Sequence, residues 1–486
     1  MLKAVLRDSL VYGLASILSK GLAIFLLPLY TRVLSPSDYG AYDLLITLGV
    51  LANLIVALEI SQGLARLWSD TPEKGARQRL ASTSLWFTVL MYGAFLAISL
   101  SAAPQLNSWI LGDDRYLDAF QLGVGFIAVN GIYYLLLNQF RWELHSKAYA
   151  TVSVVYALLN LLLAAIFCLL MDLGLTGVML SQLIAAFIAC WLSLSLLRRT
   201  FIFALDMQQL RDMLRFSTPL VPAGLAVFIS LYINRLAINH FGSLEDVGHF
   251  GISSRIASLA SLLIIGIQAA LTPLVYQHYR EPHAPRQIAR LLNWFMATAL
   301  VGCLFLALFS RELLMLFTTP KFMAGAALVG VLAPALLMSQ MYIFAPGIAI
   351  AKKTHWQLWV TMLGATASVA GNWLLVPLWG VWGAAMATLL SSLIFLLFWL
   401  SLSQRLYPIP YAWRSIVPAV LMFIACTLLG IELNKLGLTL QLLLPIKSLI
   451  LLFLLGVVII CGLLPITDLR ALFMQLQLRF NKRTQE

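Results

Sequence analysis

Long apolar runs separated by short polar breaks occupy most of this 486-residue chain. A helix that crosses a bilayer needs about 20 predominantly apolar residues. The runs predict helices at 10–31, 41–66, 81–103, 117–140, 149–171, 174–197, 214–239, 248–275, 290–310, 322–350, 355–376, 379–403, 414–433 and 443–465. No break is longer than about 20 residues, so no soluble catalytic or binding domain is expected between the spans. The pattern predicts an all-α polytopic membrane protein with about fourteen transmembrane helices.

Composition excludes the main soluble classes. Hydrophobic residues make up 61% of the chain and charged residues only 11%, whereas a soluble domain carries about 25% charged residues. The net charge of +12 does not indicate nucleic-acid binding, because the basic residues lie at the ends of apolar runs, where they orient membrane helices. The five cysteines are scattered through apolar runs without a CxxC pair, so no metal, redox centre or cofactor is predicted.

The distribution of lysine and arginine predicts the orientation in the membrane. The N-terminus has a basic start and an apolar run but no A-x-A-like cleavage site, so it is interpreted as a retained first helix. With that end in the cytoplasm, 23 basic residues fall inside, three fall within spans, and six fall outside: Arg32, Arg115, Arg311, Lys321, Lys435 and Lys447. This bias predicts an even number of spans with both termini in the cytoplasm.

Three segments recur in register along the chain. Ser35, Asp38, Gly40 and Tyr42 recur as Ser243, Asp246, Gly248 and Phe250, Gly174 and Gly177 as Gly380 and Gly383, and the segment 191–195 as 399–403. The repeats predict an N-terminal six-helix lobe at 1–205, a second at 206–405, and two additional helices with a tail at 406–486. Two six-helix lobes point the same way and are related by a pseudo-two-fold axis along the membrane normal. Transporters of this design bind substrate between their lobes and alternate access by rocking them.

Polar residues inside the spans predict where such a substrate binds. A charge at the centre of a spanning helix costs roughly 2.5–3.5 kcal/mol on insertion scales, so it needs a partner, water or a function. The first two predicted helices of each lobe carry the relevant stripes, formed by Ser16, Lys20, Asn53, Glu59, Gln62, Arg66, Tyr232, Arg235, Asn239, Arg255, Ser258 and Gln268. A water-filled, mostly cationic cavity between the lobes accounts for all four stripes, and Glu59 is its single deep carboxylate.

Simpler interpretations of these residues stay open. Arg235 and Arg255 lie near helix ends, where long side chains reach the interface, and Arg66 fits an orientation charge. Glu59 fits either a structural ion pair or a coupling proton site. The serines fit helix packing as well as a cavity lining.

Several of these segments resemble a known family. The stretches LASILSKG at 14–21, LPLY at 27–30, LSPSDYG at 34–40, VGHFGISSRIASL at 247–259, TPLVY at 272–276 and NWLLVPLWGVWGAAMAT at 372–388 resemble Wzx-type polysaccharide flippases. This resemblance implies the fold of the multidrug/oligosaccharidyl-lipid/polysaccharide exporter (MOP) superfamily. It also implies a substrate, an undecaprenyl-diphosphate-linked oligosaccharide repeat unit, moved from the cytoplasmic to the outer leaflet of the bacterial inner membrane.

The resemblance gives the polar residues specific roles. Lys20, Arg235 and Arg255, with Arg66 in the same cationic cavity, would hold the diphosphate. Asn53 and the other polar stripe residues would accommodate sugar, and Glu59 would couple transport to an ion. A polysaccharide polymerase or another export component is an expected partner, and no nucleic acid is expected.

Three other functions remain as alternatives. A lipid II flippase, ranked second, shares fourteen helices and a cationic cavity. A multidrug antiporter shares the two lobes but usually has twelve helices and acidic residues in its lobes. A membrane glycosyltransferase or polymerase needs a large outer loop or an acidic catalytic motif. The only acidic cluster in the outer loops is Asp113, Asp114 and Asp118, which fits a solvated loop, so no enzymatic activity is predicted.

Overall fold

The computed structural model describes residues 26–264, 267–268, 271, 275, 278–435 and 439–464. The regular secondary structure of these residues is all helical, with no strand. The helices are α1 (26–33), α2 (Pro36–Ile55), α3 (Ile60–Asp70), α4 (Lys74–Ser101), α5 (Ala103–Ile110), α6 (Leu117–Trp142), α7 (Ser146–Ala165), α8 (Gly174–Leu196), α9 (Met207–Ser217), α10 (Val221–Phe241), α11 (Leu244–Ala257), α12 (Ala284–Leu308), α13 (Ser310–Phe317), α14 (Val329–Met338), α15 (Gly347–Ile350), α16 (Thr354–Trp379), α17 (Val381–Leu406), α18 (Trp413–Lys435) and α19 (Leu440–Ile460).

The spans agree with those predicted from the apolar runs. Among the described residues, twelve helical spans are long and apolar enough to cross a membrane, and α2 with α3 forms a thirteenth that is bent by 42°. Each corresponds to one of the predicted second to fourteenth helices, so the all-α polytopic fold is confirmed. The predicted first helix, 10–31, lies outside the described residues except for its end in α1.

Contacts divide the chain into two compact units. Unit 1 contains the described residues up to Gly251 together with the segment Phe317–Phe322, and unit 2 contains the rest. The predicted boundaries after residues 205 and 405 rest on sequence repeats, and that division stays a prediction.

Within unit 1, both copies of the Ser-x-x-Asp repeat begin a helix in the same way. The Asp38 amide donates to Ser35 Oγ at 3.1 Å, and the Ser35 amide donates to Asp38 Oδ2 at 3.1 Å. Ser243 and Asp246 repeat this reciprocal pair at 3.2 and 3.1 Å. Such capping boxes satisfy backbone amides that the first helical turn leaves unpaired. The repeated motif is therefore a helix start, used once for α2 and once for α11.

The glycines of the two motif copies bring α2 and α11 into backbone contact. A Cβ added at Gly40 would lie 1.8 Å from the carbonyl oxygen of Leu244, and one added at Gly248 would lie 2.0 Å from that of Pro36. Leu244 and Pro36 occupy equivalent positions in the two copies. The contact is thus reciprocal, as a local two-fold axis between the motif copies requires, and only glycine permits it.

The segment Phe317–Phe322 is held in unit 1 by a polar contact and an aromatic contact. Thr319 Oγ1 donates to the carbonyl oxygen of Thr31 at 3.1 Å. The fully buried ring of Phe322 lies with its centroid 5.7 Å from that of Tyr39 and 6.1 Å from that of His249. This segment therefore packs on the same ends of α2 and α11 that carry the motif.

Unit 2 contains a buried ion pair that joins α19 to α13. Lys447 Nζ lies 2.5 Å from Glu312 Oε1, with side-chain exposures of 0% and 19%, and 5.8 Å from the centre of the Phe309 ring. Nearby, α18 packs on α12 so closely that a Cβ at Gly430 would lie 2.3 Å from the Leu308 side chain. The sequence analysis counted Lys447 among the basic residues outside the spans, whereas the structure places it within α19, where it is fully buried against Glu312.

We predict that Gly40→Ala lowers the thermal unfolding temperature of the purified protein. Its Cβ would meet backbone rather than a movable side chain, and overpacking of this kind costs about 1–3 kcal/mol or more. The matched control is Gly93→Ala on α4, where a Cβ would meet nothing within 4 Å, so it should hold or raise the unfolding temperature. Equal effects of the two variants would contradict the backbone contact.

A second prediction concerns Lys447 and Glu312. Lys447→Met leaves the Glu312 carboxylate without its partner, and breaking a buried pair in this way costs about 3–5 kcal/mol. The double variant Lys447→Met/Glu312→Leu should recover most of the lost unfolding temperature, because removing both charges is close to neutral. Additive losses would argue against a coupled pair, and the exposed Lys321→Met provides the control.

Candidate functional site

The predicted polar residues of the second and seventh helices lie on neighbouring helices of unit 1. Asp43 on α2 contacts Arg235 on α10, and a Cβ added at Gly224 on α10 would lie 2.3 Å from the Leu54 side chain on α2. Low-numbered positions of one helix thus meet high-numbered positions of the other, so α2 and α10 are antiparallel. The two contacts are about 16 Å apart along the helices, at a rise of about 1.5 Å per residue.

Arg235 is a largely buried cation with a carboxylate partner. Its Nε donates to Asp43 Oδ2 at 2.8 Å, and the two side chains are only 12% and 8% exposed. Its Nη1 donates to Asn234 Oδ1 at 2.9 Å. The guanidinium carbon lies 5.2 Å from the centre of the Tyr232 ring and 5.4 Å from that of Phe250, distances at which an aromatic ring attracts a cation.

Asp43 was missed by the sequence analysis, which treated Glu59 as the single deep carboxylate. It lies near the start of the predicted second helix, where a carboxylate is normally a solvated end residue. Here α2 begins at Pro36, seven residues before Asp43, which places Asp43 two turns inside the helix. Its neighbour Gly251 makes room for it, because a Cβ there would lie 2.9 Å from Asp43 Oδ2.

Glu59 lies in a break between α2 and α3 rather than within one continuous helix. Leu58 and Glu59 both adopt left-handed backbone conformations, with φ of 50° and 53°. Such conformations cost on the order of 1–3 kcal/mol each in non-glycine residues and cluster at functional sites. The prediction of one helix at 41–66 is therefore wrong at this point. Broken helices at membrane depth persist where protein or a water-filled cavity surrounds them, which makes Glu59 a candidate functional residue.

Asn53 lies one turn before this break and is held by a buried tyrosine. Tyr92 on α4 donates its hydroxyl to Asn53 Oδ1 at 2.7 Å. Gly131 on α6 gives the Tyr92 ring its space, because a Cβ there would lie 2.0 Å from the ring. Within the ranges that the structure describes, the Asn53 amide nitrogen donates no hydrogen bond.

The other predicted residues of unit 1 are placed separately. Gln62 is exposed on α3, and Arg66 pairs with Asp70 at 2.5 Å with side chains 53% and 55% exposed. Tyr232 stacks on Phe228 with ring centroids 5.2 Å apart. Asn239 donates to the carbonyl oxygen of Ile110 at 2.9 Å. Of the predicted set, unit 1 brings Tyr232 and Arg235 into direct contact.

The predicted residues of the eighth helix lie in unit 2, and those of the first helix are not described. Ser258 is exposed and donates to the carbonyl oxygen of Arg255 at 2.7 Å, and Arg255 is half-buried. Gln268 is exposed. Ser16 and Lys20 lie outside the described residues. The assignment of the whole set to one cationic cavity stays a prediction.

Comparison with protein families identifies the chain. The model of a family described as "Polysaccharide biosynthesis protein" matches residues 5–278, more than half of the sequence. The chain belongs to this polysaccharide biosynthesis family. No curated protein sequence matched it.

Solved structures show which fold this family member has. The lipid II flippase MurJ in an inward closed conformation is similar at a TM-score of 0.72 and 13% identity, over 93% of this chain and 98% of that one. An inward-facing multidrug resistance MATE transporter of the MOP superfamily gives a TM-score of 0.63 at 18% identity, over 80% and 95%. A MOP superfamily transporter from Pyrococcus furiosus gives 0.55 at 18% identity, over 83% and 96%. The polysaccharide biosynthesis protein therefore has the fold of the MOP transporters, and the sequence resemblance to a polysaccharide family with this fold is confirmed.

Proposed function

We propose that this protein is a flippase that moves undecaprenyl-diphosphate-linked oligosaccharide repeat units from the cytoplasmic to the outer leaflet of the bacterial inner membrane. The supporting observation is the combination of a polysaccharide biosynthesis family match with a fold like that of a lipid II flippase over 93% of the chain. The family match supports a role in polysaccharide biosynthesis, and the fold supports transport by alternating access. In this proposal both termini lie in the cytoplasm, and a polysaccharide polymerase or export component is the expected partner.

The chemistry of this substrate fits the polar residues of the spans. A diphosphate needs cations, which Lys20, Arg235, Arg255 and Arg66 offer. A sugar needs hydroxyl and amide partners, which Asn53, Gln62, Ser16, Tyr232, Asn239, Ser258 and Gln268 offer. The polyprenyl tail stays in lipid and leaves through a lateral gap between the lobes.

Glu59 is the residue proposed to couple transport to an ion. The break between α2 and α3 leaves the last carbonyl groups of α2 without intrahelical partners, and such freed carbonyls help to bind coupling ions in other broken-helix transporters. A carboxylate beside them supplies a charge that a proton or a cation can neutralise.

A lipid II flippase is the second candidate, favoured by the TM-score of 0.72. It differs from the first in the sugar that the diphosphate carries. A multidrug antiporter is less favoured, because the multidrug transporter structures cover 80–83% of this chain and leave a larger part of it unmatched.

We predict that a strain lacking this protein retains complete lipid-linked repeat units in the cytoplasmic leaflet. The wild-type gene should restore outward delivery, whereas Lys20→Glu should not, because a carboxylate repels the diphosphate. Lys147→Glu reverses the charge of an exposed lysine and should restore delivery. The measurement treats intact and lysed spheroplasts with a membrane-impermeant enzyme or reagent that modifies the lipid-linked sugars, and the lipids are extracted afterwards to count the modified fraction. A normal repeat-unit distribution with altered lipid II accessibility would support the second candidate.

We also predict that Glu59→Gln abolishes coupling. In proteoliposomes, wild-type transport should rise with an imposed ion gradient, and the variant should show the same low rate with and without the gradient. Glu73→Gln, at an exposed position before α4, should behave as wild type. A gradient-dependent Glu59→Gln protein would remove Glu59 from the mechanism.

A further inference from the structure

The ion pair between Asp43 and Arg235 uses only part of the guanidinium. Nε donates to Asp43 and Nη1 to Asn234 Oδ1 and, at 3.3 Å, to the carbonyl oxygen of Leu231. In the part of the chain that the structure describes, Nη2 donates no hydrogen bond. Arginine and carboxylate frequently pair through two parallel bonds, so the single bond to Asp43 leaves donor capacity on this cation for another acceptor.

The pair also joins helices that the sequence repeats assign to different lobes. Asp43 lies on α2, in the predicted lobe 1–205, and Arg235 lies on α10, in the predicted lobe 206–405. Both belong to the compact unit 1, where the carboxylate borders Gly251 on α11. Breaking the bond between Asp43 and Arg235 therefore removes an electrostatic link between α2 and α10.

Stability alone does not explain this pair. Transferring two charges from water into a poorly solvated site costs about as much as their attraction returns, and apolar residues of similar volume are often as stable. A diphosphate competes well for the same guanidinium, because it carries more negative charge and more acceptor oxygens than a carboxylate.

We propose that Asp43 occupies Arg235 in place of the substrate's diphosphate, and that the diphosphate displaces it and so releases α2 from α10. This inference rests on the proposed function, because it requires a substrate with a diphosphate group. Binding and helix separation are then linked, so that a lipid without the diphosphate leaves the pair closed. Asp43 is a specificity-determining residue in this scheme, although it does not touch the substrate.

The test measures binding of farnesyl diphosphate to the purified full-length protein, with farnesyl monophosphate and farnesol as comparison ligands. Asp43→Asn keeps the shape of the side chain and removes the competing charge. We expect it to tighten farnesyl diphosphate binding at least about fivefold, the lower end of typical coupling between two sites. Arg235→Gln should weaken binding, and adding Asp43→Asn to it should change nothing further. Asp118→Asn, at an exposed position, should match wild type.

A second variant keeps the charges of Asp43 and Arg235, and it tests the inference even if Asp43→Asn does not fold. Gly251→Ala places a methyl group 2.9 Å from Asp43 Oδ2 and pushes the carboxylate off Arg235, so it too should tighten diphosphate binding. Unchanged or weaker binding in the folded variants would overturn the inference while leaving the proposed function intact. Failure of the wild-type protein and of every variant to bind farnesyl diphosphate would instead overturn the proposed function, and this inference with it.

The release of α2 has its own measurement. Spin labels at Ser37 on α2 and His240 on α10 report the separation of the two helices near the pair. Farnesyl diphosphate should lengthen the distance in wild type, and Asp43→Asn should lengthen it without ligand. A distance that stays constant on saturation with farnesyl diphosphate would rule out the release.

Discussion

The reciprocal backbone contact between α2 and α11 is the constraint on which the candidate site depends. At both Gly40 and Gly248, a backbone carbonyl group of the other helix occupies the space in which a Cβ atom would lie. Residues three apart lie on the same helix face, so the contact continues from Gly40 to Asp43 and from Gly248 to Gly251. This close approach of the two helices places the Asp43 side chain next to Gly251. The two motif copies differ at this point, because Asp43 and Gly251 occupy equivalent positions, and the local two-fold symmetry is broken where the charge lies.

Three ion pairs, all formed by a basic side chain and a carboxylate, differ in how deeply they are buried and in which helices they join. Lys447 is completely buried and pairs with Glu312, which joins α19 to α13. Asp43 and Arg235 are slightly exposed, share one hydrogen bond, and leave part of the guanidinium for another acceptor. The pair of Arg66 and Asp70 is exposed and lies within one helix, where such pairs contribute about 0.3–0.5 kcal/mol. Burial and hydrogen-bond geometry, rather than the types of charge, thus distinguish a permanent structural ion pair from one whose partner can be exchanged.

The sequence predicted what is local and missed what depends on neighbouring helices. Apolar runs were sufficient for the spans, because hydrocarbon thickness fixes their length. The motif that begins with Ser35 could be found in the sequence twice, because a capping box involves residues only three positions apart. The break at Leu58 and Glu59 was not predictable, because neither residue is a glycine or proline, and the sequence therefore gives no local signal for a left-handed backbone there. The partner of Arg235 lies 192 residues away, a distance across which one sequence carries no pairing signal.

Helix α2 therefore has an exchangeable contact at one end and a break at the other. Beyond the break, α3 is fixed to α9 through Gly63, where a Cβ would lie 2.5 Å from the carbonyl oxygen of Met213. In the proposed exchange, release of Asp43 separates the start of α2 from α10, while its backbone contact with α11 remains and the fixed α3 holds the chain after Glu59. Motion of α2 is then absorbed at residues 56–59, the segment that carries the proposed coupling carboxylate. A diphosphate bound at Arg235 and an ion bound at Glu59 would act on opposite ends of the same helix, which gives the two ligands a physical route to influence each other.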